Sequence, residues 1–227
     1  MEKKRELQDF KIIPATEAVY MIIRFRDDLV TKIRNALTLS KRGVENYHGK
    51  IIGISGEVHV YEEDLTKWPS NRRILVIYFK NRDNAVRWLN SDRYFKNDDF
   101  PSPSDTLQMF LIPVHYTADK ENYTFHLQEF GNWRDWDKLN SGYVQHAAKC
   151  MDTFKVQHGA AFTNESEGLR CSFVRKGNLV VLHRFQSQDH FENFYYSKAY
   201  ETLKQFRRTQ CECNSTVFTI NPDLRNP

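Results

Sequence analysis

Ile77-Tyr78-Phe79-Lys80-Asn81-Arg82-Asp83-Asn84-Ala85-Val86-Arg87-Trp88-Leu89-Asn90-Ser91-Asp92-Arg93-Tyr94 aligns without a gap on His183-Arg184-Phe185-Gln186-Ser187-Gln188-Asp189-His190-Phe191-Glu192-Asn193-Phe194-Tyr195-Tyr196-Ser197-Lys198-Ala199-Tyr200, at a constant offset of 106 residues. Each copy reads as an apolar strand ending in Phe, a polar helix start, an aromatic residue on the helix and then Ser-x-x-Tyr. A repeat of this kind decides the fold before any motif does.

Working outward, the flanking elements recur in the same order. The first copy reads as strand 19–25, helix 29–47, a His48-Gly49 break, strand 51–61, strand 73–79, helix 82–95 and strand 107–115. The second reads as strand 123–130, helix 133–156, a His158-Gly159 break, a strand near 169–174, strand 179–185, helix 189–207 and strand 215–220. Both spell β-α-β-β-α-β, the split pattern of a ferredoxin-like α+β unit with two helices on one face of an antiparallel sheet. The expected repeats span residues 18–117 and 122–221, joined by a short polar linker. A strand such as Ile74–Phe79 is apolar on both sides, so the sheet face away from the helices needs a cover. The other copy is the expected cover, which makes one chain self-sufficient and mainly monomeric.

Composition narrows the function classes. Of 227 residues, 14% are aromatic, enough for a globular core. The 33 basic and 29 acidic residues are interspersed, a solvated mixed surface without a nucleic-acid footprint. No apolar run reaches the length of a membrane span and no apolar segment follows the charged N-terminus, so no membrane partner and a cytoplasmic location are expected. Cys150, Cys171, Cys211 and Cys213 lack metal spacing and read as reduced thiols, with Cys211-Glu212-Cys213 as a redox-sensitive alternative.

The segment His48-Gly-Lys-Ile-Ile-Gly-Ile-Ser-Gly56-Glu57-Val-His-Val-Tyr-Glu62, followed by Trp88-Leu-Asn-Ser91-Asp-Arg-Tyr94, resembles domain family 1330 of the dimeric α/β-barrel superfamily. The second copy is similar through Phe194-Tyr-Tyr-Ser197-Lys-Ala-Tyr200 and lacks the Gly-Gly-Glu-like segment. The resemblance implies two tandem ferredoxin-like units whose sheets pair as an intramolecular dimeric-type α/β barrel. Superfamily relatives include cofactor-free monooxygenases, cyclases, isomerases, haem enzymes and non-catalytic members, so architecture is narrowed far more than chemistry.

Candidate site residues follow from what the second copy substitutes. His126 falls where the first copy has Met21, and His183 where it has Ile77. Both lie near strand centres and are expected opposite one another on the helix-packed face. Two imidazoles in an apolar pocket form a catalytic acid–base pair; the alternative is hydrogen-bonded core histidines. Glu57, His59 and Tyr61 alternate along one strand and form a second, ligand-binding candidate, or the polar side of an edge strand. Arg24 aligns with Glu129, and Tyr78 with Arg184, on the opposite sheet face; they orient an anionic ligand or pair with one another across the repeat axis. His48 and His158 are placed at helix C-termini.

No phosphate loop, zinc-protease or nucleophile-elbow signature is present. The functional expectation is a small-molecule-binding barrel, acting either as a cofactor-independent acid–base enzyme on a small hydrophobic substrate or as a non-catalytic ligand-binding or interaction module. Haem binding through His126, His183 or His158 is the third reading; otherwise no cofactor or metal is expected.

Overall fold

The computed structural model describes residues 13, 15–65, 72–96, 107–114, 124–163, 167–170 and 179–220, with backbone alone at 93, 96, 157–163, 167, 168 and 170. Nine strands alternate with helices: β1 (Val19–Arg26), α1 (Val30–Asn46), β2 (Gly49–Glu63), β3 (Arg72–Phe79), α2 (Arg82–Ser91), α3 (Arg93–Lys96), β4 (Leu107–Pro113), β5 (Thr124–Gly131), α4 (Trp136–Leu139), α5 (Gln145–Thr153), β6 (Gln157–Thr163), β7 (Glu167–Arg170), β8 (Leu179–Phe185), α6 (Gln188–Tyr195), α7 (Lys198–Gln210) and β9 (Glu212–Ile220). The strands form one sheet in the order β6-β8-β5-β9-β2-β3-β1-β4-β7, antiparallel at every pairing whose register is defined.

Period-two alternation sorts the side chains of each strand onto two faces. On β1, Met21, Ile23 and Phe25 join the apolar layer under α1–α3, while Tyr20 and Ile22 enter a different layer. That layer also takes Ile74, Val76, Phe110 and Ile112 from the first half of the chain and Phe125, Leu127, Val180, Leu182, Phe218 and Ile220 from the second. Phe125 stacks on Phe218 at 5.5 Å between centroids. A third layer lies beneath α4–α7. Burying each such aliphatic or aromatic side chain contributes about 1.5–3 kcal/mol before entropy is counted.

The halves meet through backbone as well as side chains. The 15-residue β2 pairs with β3 through its first part and with β9 through its second. Two register shifts, between Ser55 and Val58 and between Val60 and Glu62, re-aim its side chains.

Several expected boundaries are corrected. Helix 82–95 breaks at Asp92, whose carboxylate accepts the backbone N–H groups of Tyr94 and Phe95. Helix 189–207 breaks at Ser197, which caps α7 by accepting from Tyr200 N. Both breaks arise because short polar side chains compete with the helical ladder. The helix expected over 133–156 is interrupted by a π-helical stretch at Asn140–Val144. There a Cβ on Gly142 would lie 2.5 Å from the tip of the partly exposed Phe206 ring, which would have to swing aside. The strand expected near 169–174 is instead β6 and β7. His48 adopts φ 54° after α1, and its counterpart after α5 is Lys155 at φ 53°, not His158, which lies in β6 with its side chain outside the described residues.

Candidate functional site

His126 and His183 are directly paired across β5 and β8, as Met21 and Ile77 are across β1 and β3. Their rings are 6.3 Å apart, and His126 Nε2 is 2.8 Å from Ser215 Oγ. Phe191, Phe185 and Tyr195 close around His126, with the Phe191 centroid 4.6 Å away, and His126 has no exposed surface. Neither histidine lines the groove described below.

Burial, the neighbouring His183 and Arg207 hold His126 well below the ordinary imidazole range. The folded protein therefore keeps this ring neutral where the unfolded chain protonates it. Stability from this source is complete above about pH 6.5 and falls below it by about 1.4 kcal/mol per pH unit until the folded value is reached. Urea denaturation from pH 7 to pH 5 should show this loss in the wild type and a shallower slope in His126→Met. Parallel slopes would remove His126 as the origin.

A groove of about 600 Å³ lies where the outer part of β2 crosses α6 and α7. Glu57, His59 and Tyr61 line it from the first half; Glu192, Tyr195, Tyr196, Lys204 and Arg208 line it from the second. Tyr61 reaches across because the register shift beside it turns both Tyr61 and Glu62 toward the helices. Its ring meets Phe191 and Tyr195 edge-on at 4.9 and 4.8 Å, and its hydroxyl donates to Glu192 Oε1 at 2.9 Å. Burial, reinforced by the Glu192 charge, pushes the Tyr61 phenol up, and bonds from Gln188 and then Tyr61 lower the Glu192 carboxyl. Lys204 Nζ lies 3.7 Å from the Tyr195 centroid and 2.7 Å from Glu201 Oε2, a cation held by an aromatic face and a carboxylate together. Tyr196 and Val60 remain exposed on the rim.

Behind the groove, Glu62 is buried and accepts from Arg207 Nη2 at 2.6 Å on both oxygens, from Tyr195 OH at 3.0 Å and from Arg208 Nε at 3.3 Å. Burial opposes ionisation of Glu62, but the two arginines and Tyr195 prevail and hold its carboxyl below the usual range. Deeper still, Tyr143 OH and Tyr200 OH share a 2.8 Å bond beside Gln128 and Cys213. Burial raises Cys211 to about 11 and Cys213 well above its ordinary value, so both thiols stay protonated rather than forming a reactive thiolate pair.

Arg24 and Glu129 form a buried ion pair at 2.6 Å that joins the two halves of the chain. Tyr78 and Arg184 occupy equivalent register positions, Tyr78 opposite Tyr20 and Arg184 opposite Phe125. The sequence candidates thus separate into three places: His126 and His183 in a packed core, Glu57 and His59 in the groove, and Arg24, Tyr78 and Arg184 on the opposite face of the sheet from the histidines. Glu62, Lys204, Arg207 and Arg208 were not singled out from the sequence. The available signal was in α7, where Tyr200, Lys204 and Arg207 fall on the buried stripe, a place for apolar side chains unless a carboxylate faces them. Among the described residues no cluster of three His, Cys, Asp or Glu side chains is placed to hold a metal ion, and no helix is long and apolar enough to cross a membrane.

No protein-family model matches the chain, and no curated protein sequence does. Solved structures do. A monooxygenase-like protein of Fusobacterium nucleatum superposes with a TM-score of 0.53 at 9% identity, covering 91% of this chain and 94% of that one. Chlorite dismutase of Candidatus Nitrospira defluvii, solved in complex with imidazole, superposes with a TM-score of 0.52 at 9% identity, covering 92% and 93%. Both belong to the dimeric α/β-barrel superfamily, and the antiparallel α+β architecture described above is consistent with that fold.

Proposed function

We propose that this chain is a tandem barrel, built from repeats 18–117 and 122–221 of the domain family 1330 type, that binds a small molecule in the groove between β2 and α6–α7. The tandem reading is supported by strand order: β2-β3-β1-β4 in the first half matches β6-β8-β5-β9 in the second. It is also supported by β6 and β7, which pair with β8 and β4 as the two parts of β2 pair with β3 and β9. A barrel completed within one chain needs no second copy, so the protein is mainly monomeric.

The observation that carries the functional reading is convergence. Residues from both halves supply an aromatic wall, Tyr61, Tyr195 and Tyr196, and both signs of charge around one groove. Its ligand is a small molecule with an aromatic or apolar face and polar substituents. Binding without turnover is the reading favoured, because Lys204, Arg208 and Glu192 already have protein partners and act as a fixed frame. His126 and His183 serve as a structural pair in the packed layer. His126 does not fit a haem iron, since its Nε2 edge is taken by Ser215 and aromatic rings close around the imidazole.

Native mass spectrometry against a library of small polar aromatics tests this. Hits should bind wild type and lose at least tenfold in affinity in Tyr196→Ala and His59→Ala, while His183→Ile retains them. Hits lost in His183→Ile and kept in the groove variants would move the site to the core.

A further inference from the structure

Among the described residues, the inner face of the sheet buries the Arg184 guanidinium without a carboxylate partner. Arg24 and Arg184 are each 3% exposed, and Glu129 is 2% exposed. Glu129 Oε1 is taken by Arg24. Among the described residues Arg184 forms no ion pair, and its buried Nε and Nη1 have no hydrogen-bond partner. A buried cation without a counter-ion is unfavourable unless an anion completes it.

Register fixes what surrounds it. Arg184 is the penultimate residue of β8 and faces Phe125, the second residue of β5, which in turn faces Phe218 of β9. In the other half, Tyr78 is penultimate in β3 and faces Tyr20, the second residue of β1, which faces Ile112 of β4. Because neighbouring strands are antiparallel, the start of β1 and of β5 and the close of β3, β4, β8 and β9 lie at the same end of the sheet. Its terminal inner layer is therefore Tyr20, Tyr78, Ile112, Phe125, Arg184 and Phe218: four aromatic rings, one aliphatic side chain and one charge. Tyr20 and Tyr78 already meet edge-to-face at 6.1 Å, and Phe125 stacks on Phe218.

We propose that this end of the barrel is a second binding site, separate from the groove, that takes a small aromatic monocarboxylate with its carboxylate on Arg184 and its ring in the aromatic layer. A guanidinium pairs with a planar carboxylate through charge-assisted bonds. The apolar remainder of the layer disfavours a fully hydrated inorganic oxyanion.

The probes are benzoate, benzamide as its neutral isostere and inorganic phosphate, titrated into the full chain with thermal unfolding as the readout. Benzoate at a hundredfold excess over its Kd should raise the wild-type Tm by about 5–10 °C, with benzamide and phosphate ineffective at that concentration. Arg184→Met removes an uncompensated charge, so without ligand it should melt at or above the wild-type temperature and should not respond to benzoate. Arg184→Lys should respond at least tenfold more weakly than wild type. The proposal is overturned if Arg184→Met melts well below wild type, which would place a protein partner on the guanidinium. It is equally overturned if benzoate stabilises Arg184→Met as it does wild type, or if phosphate stabilises and benzoate does not.

Discussion

Glu62→Gln should destabilise the protein by about 3–5 kcal/mol in urea denaturation at neutral pH, the range expected when one partner of a buried ion pair is removed. Arg207 has no exposed surface, and its Nη2 is held at 2.6 Å by both Glu62 oxygens. Without the carboxylate charge, a guanidinium remains desolvated beneath α7, and the single amide oxygen that remains cannot serve both Tyr195 and Arg208, which bond different oxygens of Glu62. The effect reaches function, since Tyr195 and Arg208 line the groove. The control is Glu62→Met with Arg207→Met, which removes both charges and should recover most of the loss. A loss below about 1 kcal/mol in the single variant would mean that Arg207 is satisfied without Glu62.

Arg24→Met should have a comparable effect, about 3–5 kcal/mol, for the same reason in a different place. Its target, Glu129, is buried, and Glu129 Oε2 already lacks a hydrogen-bond partner among the described residues. Losing Arg24 leaves the whole carboxylate without its cation. Because the two residues come from different halves, the coupling read from Arg24→Met, Glu129→Met and the double variant reports directly on the contact between halves. The double variant should be close to wild type or more stable. Additive losses would show that the two side chains do not face one another.

The fold was legible where the sequence carries periodic apolar strands and a repeat. The match of 77–94 with 183–200 placed His183 where the first copy has Ile77, and the alignment of Phe25 with Phe130 placed His126 where it has Met21; the strand register pairs the two histidines. Legibility failed where backbone irregularity decides direction. The register shift between Val60 and Glu62 brings Tyr61 and Glu62 to the same side, and strict alternation cannot reveal that. The 157–170 region offers Gly, Ala, Asn and Ser in place of β-branched residues, so the strands there were assigned too far along the chain. The site failed to emerge for a related reason. Its framework consists of buried charges on α7, and a lysine or arginine in a single sequence reads as solvated unless its partner from a distant strand is already known. His126 and His183 drew notice as polar substitutions in an apolar pattern, yet that pattern carries no information on whether space remains beside them.

The most direct test of the account is methyl-labelled NMR of the wild-type chain with a bound small-molecule hit. Val58 and Val60 lie on the groove, whereas Val181 and Val217 lie in the packed layer with the histidine pair. The groove account expects the largest shift changes at Val58 and Val60, with Val181 and Val217 unmoved. Perturbation concentrated at Val181 and Val217 with Val58 and Val60 silent would contradict it.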